Sequence, residues 1–80
     1  MSGNASIQET CVKVAQILHR KRVEQNLSLT RVAEGCGLSR QGVSYLERGM
    51  RIPNLDTLLR IAAVLNVDLA EVIREASGKE

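Results

Sequence analysis

The chain has 80 residues, 44% of them hydrophobic and 25% charged, the balance of one small globular domain. It holds one tyrosine and no phenylalanine or tryptophan. That excludes binding of RNA or single strands on aromatic stacking platforms and leaves the core to aliphatic side chains. Net charge is +2, yet residues 13–60 carry nine basic groups against four acids, a local net of +5, while residues 61–80 carry −2. The basic middle is where a polyanion would be met.

From Ser6 to about Gln25 the apolar residues Ile7, Cys11, Val14, Ala15 and Leu18 recur every three or four positions, with Val23 a further candidate. This spacing predicts a first helix, with Ser6 as N-cap and Lys13, Arg20 and Lys21 on its polar face. Asn26 suits a left-handed stop. Ser28 caps a second, short helix ending at Glu34 or Cys36 and burying Leu29, Val32 and Ala33, with Gly37 as its stop. Ser39 caps a third, roughly Arg40 to Arg48, burying Val43 and Leu46 and stopped by Gly49.

Met50 to Pro53 reads as a connecting loop, and Asn54 caps a fourth helix over Leu55–Leu65. That helix is apolar nearly all round, which predicts burial from several sides at the centre of the domain. Asn66-Val67 turns the chain. Asp68 with Glu71 forms a D-x-x-E capping box for a fifth helix, Leu69 to about Ala76. No period-two alternation appears, so no strand is expected. The fold class is all-α: one five-helix domain over residues 1–80, with polar tails at 1–5 and 77–80.

Cys11 and Cys36 lack C-x-x-C spacing and, with the lone His19, make a poor zinc set, so no metal or cofactor is expected. Both thiols are expected to fill space in the core, and His19 to be a solvated surface side chain. No stretch approaches the roughly 20 apolar residues that span a bilayer. The start, Met1 to Ser6, lacks the positive region of a signal peptide. A cytoplasmic protein without a membrane partner is the expectation. No acid–base pair, nucleophile set or Gly-rich phosphate loop points to an enzyme.

The second and third helices carry the most specific signal. They are joined by Cys36-Gly37-Leu38, each starts with Ser, Ala33 is small where they cross, and Val32, Leu38, Val43 and Leu46 lock them together. Such offsets describe a helix-turn-helix over about residues 28–49. From about Val14 to Ile73 the chain resembles the phage repressor and Cro type (lambda repressor-like) of helix-turn-helix transcriptional regulator. The hallmarks are Ser28, Val32-Ala33, Gly37-Leu38-Ser39, Val43, Leu46-Glu47, Gly49, Pro53, Leu58 and Ile61-Ala62. The sequence departs from that pattern at Leu29, where the family usually has a phosphate-contacting Gln, and at Gly35 and Gly42 inside helices. Each of these glycines costs about 1 kcal/mol of helix propensity relative to Ala. Gly42 either permits close approach to DNA or is simply tolerated.

The resemblance implies that the third helix enters the major groove of double-stranded DNA. By motif position Arg40, Gln41, Ser44 and Tyr45 then face the bases. Arg40 can read guanine O6 and N7 or meet a phosphate, and Gln41 can read adenine N6 and N7. Ser44 can meet a base or a phosphate. Tyr45 can touch a thymine methyl, donate to a phosphate, or lie along the surface covering Leu29. Ser28 and Ser39, at helix N-termini, and Arg48, Arg51 and Asn54 are the phosphate candidates, with Arg31 and Lys21 behind them. In the family an Arg near the end of the first helix pairs with the Glu late in the recognition helix, which implies an Arg22–Glu47 salt bridge here.

One short helix reads too few base pairs to discriminate within a genome, so a homodimer on a palindromic operator is expected. Leu69, Val72 and Ile73 are its candidate interface, with Ile7 or Cys11 as possible additions. The implied function is sequence-specific transcriptional regulation, most simply repression, with no small-molecule ligand domain. Restriction–modification controller proteins and antitoxins resemble this fold too. They leave open activation, or a protein partner such as a toxin or polymerase met through the acidic last helix.

Overall fold

The computed structural model describes residues 3–78, with side chains from Ile7 onward. The described chain forms five helices: α1 (Gly3–Glu24), α2 (Leu29–Cys36), α3 (Arg40–Glu47), α4 (Leu55–Leu65) and α5 (Leu69–Ala76). Helix α1 starts upstream of Ser6, so that residue lies within the helix and not at its cap. Of the two expected tails, residues 1–2 and 79–80 lie outside the described residues, while 3–5 belong to α1.

The other four helices start where a short polar side chain meets an orphan backbone donor. Ser28 Oγ accepts from the Arg31 N–H at 3.0 Å and Ser39 Oγ from the Gly42 N–H at 2.9 Å. Asn54 Oδ1 accepts from the Thr57 N–H at 2.8 Å, and Asp68 Oδ1 from the Ala70 N–H at 3.0 Å. Each such cap contributes about 1 kcal/mol. Helices α1 to α4 end alike, on a residue with positive φ: Asn26, Gly37, Gly49 and Asn66. At Gly37, with φ +71°, the Leu38 N–H closes back on the Ala33 carbonyl at 3.0 Å. That bond turns the chain from α2 into α3, and a Cβ there would be strained.

Helix α1 packs on α3, α4 and α5, and α2 is sandwiched between α3 and α4. Val32, Cys36, Val43 and Leu65 are almost fully buried at the centre. Two expectations from periodicity need correction. Ile17, outside the predicted stripe, is buried, whereas Ile7 and Val23 are 62% and 52% exposed. Helix α4 is not covered all round. It buries Leu58, Ile61, Ala62 and Leu65, but Leu55 and Leu59 face outward because α1, α2 and α5 leave that side open.

Gly35 has a packing reason. A Cβ built on it would stand 2.6 Å from Val64 Cγ2, so α2 crosses α4 too closely for a side chain. Gln25 Nε2 donates to the Leu65 carbonyl at 2.8 Å, tying the end of α1 to the end of α4 and satisfying a last-turn acceptor.

Candidate nucleic-acid interface

Helix α3 is held from behind by its two buried side chains, Val43 and Leu46, and by a polar clamp on its last turn. Arg22 Nε and Nη2 donate to the two carboxylate oxygens of Glu47 at 2.8 and 3.0 Å, and Arg22 Nη1 donates to the Leu27 carbonyl at 2.7 Å. Both side chains are nearly buried, 13% and 11% exposed. His19 joins them: its Nδ1–H donates to Glu47 Oε1 at 2.7 Å. It is therefore not the freely solvated histidine that its basic neighbours suggest, although its side chain remains about half exposed.

With its back fixed, α3 turns the other side outward. Arg40 and Gln41, in its first turn, are exposed, and Ser44 and Tyr45 are half-buried one turn later. Gln41 Nε2 donates to the Tyr45 hydroxyl at 2.7 Å. The Arg51 guanidinium lies 6.0 Å from the centroid of the Tyr45 ring, the outer range of a cation–π contact. The i,i+4 spacing of Gln41 and Tyr45 puts the two side chains on one face of α3, a pairing already visible in the sequence.

The phosphate candidates are all exposed: Ser28, Ser39, Arg48, Arg51 and Asn54. The two serines and the asparagine cap helices through their side-chain oxygens, leaving first-turn backbone N–H groups toward solvent. Among the described residues Arg31, Arg40, Arg48 and Arg51 pair with no carboxylate, whereas Arg20, Arg22 and Arg60 do. The one acid late in α3, Glu47, is occupied on its far side by Arg22 and His19. These four arginines, in or beside the helix-turn-helix segment, attract a polyanion and supply it with forked donors, while Lys13, Lys21 and Arg74 elsewhere in the described chain also lack a carboxylate partner.

The departures from the family pattern have local explanations. Leu29 is half-buried and packs against the core, so no polar group stands at that position. A Cβ on Gly42 would come 3.1 Å from Ser39 Oγ, the oxygen that caps α3, so the glycine keeps the cap uncrowded.

The thiols differ. Cys36 is buried and its pKa is pushed above its ordinary value, because burial disfavours the thiolate more than the nearby Arg60 favours it. Cys11 is only half-buried, not a core thiol as expected. Leu69 and Val72 are consumed by the protomer's own core, 7% and 2% exposed. Of the three residues expected at a dimer interface only Ile73, 38% exposed, keeps substantial free surface. Ile73 lines an apolar groove of about 330 Å³ with Ile7, Thr10, Cys11, Val14 and Leu58. Among the described residues no helix is long and apolar enough to cross a membrane.

Residues 18–72 match the helix-turn-helix family, well over half of the chain. The chain is also similar to the ImmF control region 10 kDa protein of Bacillus phage phi105, 39% identical over 57 residues. That match covers 71% of this chain and 63% of the phage protein, so the chain spans just under two thirds of that relative's length. No solved structure matches. A paired, glycine-turned α2 and α3, an outward polar face on α3 and these two likenesses agree: the chain belongs to the helix-turn-helix family of phage repressor and Cro type, a family of DNA-binding regulators of transcription.

Proposed function

We propose that this protein is a sequence-specific regulator of transcription that lays α3 in the major groove of double-stranded DNA. The observation that carries this reading is the outward face of α3. Arg40, Gln41, Ser44 and Tyr45 present base-reading chemistry there, and Arg48 and Arg51 stand unpaired at its end. Arg40 offers two donors to guanine, Gln41 an acceptor and a donor to adenine. Ser28, Ser39, Asn54, Arg48 and Arg51 hold the flanking phosphates and set the register. The relative's name, a control-region protein of a phage, supports a regulatory role. Repression by occupying an operator is the simplest mechanism for a domain of this size.

The protein acts as a symmetric dimer on two half-sites about 34 Å apart. The second copy docks on the groove between α1, α4 and α5, at Ile7, Cys11, Leu58 and Ile73. Near a two-fold axis each residue meets its own copy, so a charged centre would repel itself. The side chains lining this groove carry no charge, which favours a second copy as its occupant.

Selection from random-sequence duplex DNA tests the function. A palindromic site with two half-sites, bound with a log–log salt slope near −0.9 for each phosphate neutralised, is the expected result. No enriched sequence, or binding insensitive to salt, would overturn the reading in favour of a protein-binding module.

A further inference from the structure

We propose that Tyr45 is a positioning residue that sets which base Gln41 reads. The inference rests on the reading of α3 as the groove helix. A primary amide carries two N–H bonds, one on the same edge as its carbonyl oxygen and one pointing away from it. Only the edge that holds both Oε1 and an N–H can meet adenine at N6 and N7 together. Gln41 donates to the Tyr45 hydroxyl at 2.7 Å. When that bond uses the N–H pointing away from Oε1, the reading edge stays intact and the amide is anchored.

The anchor needs a direction, because a hydroxyl both donates and accepts. Left alone it could hold either end of the amide. A DNA phosphate removes that freedom. A phosphate oxygen only accepts, so a Tyr45 hydroxyl that donates to it has only lone pairs left for Gln41. The amide must then turn its nitrogen to the phenol and its oxygen away from it. Arg51, exposed and 6.0 Å from the Tyr45 ring centroid, puts a forked cation over the ring, and its charge favours a phosphate beside Tyr45. The hydrogen-bond chain runs from the base-reading amide to the phenol to the backbone phosphate, each bond polarising the next. A sequence-independent contact thereby fixes the polarity of a sequence-reading one, and a long side chain with three torsions is ordered before it meets the base.

The test is selection from a random duplex library with the parent protein, Tyr45→Phe and Gln41→Ala, alongside thermal melts. Tyr45→Phe keeps the ring, its packing and the melt, and loses only the hydroxyl. The parent is expected to enrich adenine at one position per half-site, and Gln41→Ala to lose that preference there. Tyr45→Phe should keep the other positions and weaken the adenine preference by about threefold to tenfold, the range for losing one pre-ordered side chain. If Tyr45→Phe matches the parent while Gln41→Ala loses adenine, Gln41 reads the base unaided and the inference is overturned. A Gln41-dependent preference for another base overturns it as well. If Gln41→Ala selects the parent's site unchanged, or the parent enriches nothing, the groove-helix reading itself fails and the inference falls with it.

Discussion

The Arg22 guanidinium grips both carboxylate oxygens of Glu47, at 2.8 and 3.0 Å, across the contact between α1 and α3. A third donor on the same guanidinium meets the Leu27 carbonyl just before α2. One side chain thus joins the long helix, the approach to α2 and the back of α3. The fork geometry that makes this possible is particular to arginine. Since Glu47 closes the last turn of α3, the clamp also sets how the helix's outer face is presented.

Removing one partner leaves the other nearly buried and unpaired. Arg22→Ala is expected to lose about 3 kcal/mol, the low end for breaking a buried pair, since both groups retain slight exposure. Arg22→Met combined with Glu47→Leu should recover most of that loss, and a urea-melt double-mutant cycle measures the coupling. An Arg22→Ala variant as stable as the parent would contradict the clamp.

Gly35→Ala tests the α2–α4 crossing. Helix propensity alone favours Ala by about 1 kcal/mol. Against it stands a 2.6 Å approach to Val64, a β-branched side chain with little rotamer freedom. Overpacking costs about 1–3 kcal/mol, so a net loss of about 1 kcal/mol is expected. Adding Val64→Ala should reverse the sign of the Gly35→Ala effect, as read by thermal melts of the four variants.

Thiol labelling separates the two cysteines. Cys11 should react with a maleimide in the native protein, while buried Cys36 should react only on unfolding. The raised pKa of Cys36 also has a sign. Above its ordinary value of 9.0 the unfolded chain loses the thiol proton while the folded chain keeps it, so stability falls as pH rises through that window. A Cys36→Ala variant should lack this alkaline slope in urea melts at matched pH values.

Ile73→Glu places a charge at a position already 38% exposed, so the fold should survive. Across a two-fold axis it would set two carboxylates near each other. Sedimentation should then show an 8.8 kDa monomer where the parent sediments as a dimer. A parent that is monomeric at micromolar concentration would remove the groove as an interface.

Arg48→Ala and Arg51→Ala are expected to weaken DNA binding almost uniformly across sequences. Each should reduce the salt slope by about 0.9. Arg40→Ala should instead cost about 1–3 kcal/mol of discrimination at a single base position. Fluorescence anisotropy on specific and scrambled duplexes at several salt concentrations separates the two behaviours.

Where α2 to α5 begin and where α1 to α4 end is legible along the chain, because capping is local chemistry; the start of α1, upstream of Ser6, is not. Ser28, Ser39, Asn54 and Asp68 each meet a donor two or three residues away. Asn26, Gly37, Gly49 and Asn66 each supply the left-handed residue that closes the preceding helix. The helix-turn-helix follows from the same short-range offsets, and the Arg22–Glu47 pair from family likeness rather than from spacing. Tertiary packing decides the rest. A 3.6-residue period marks an apolar stripe, but it does not say which stripe a neighbouring helix will cover. Leu69 and Val72 therefore turn into the core while Ile73, Leu55 and Leu59 stay outside. His19 finds Glu47 across 28 residues of chain, and Gly35 is small because Val64 crosses above it. Such relationships depend on how separate helices cross, which no window along the chain contains.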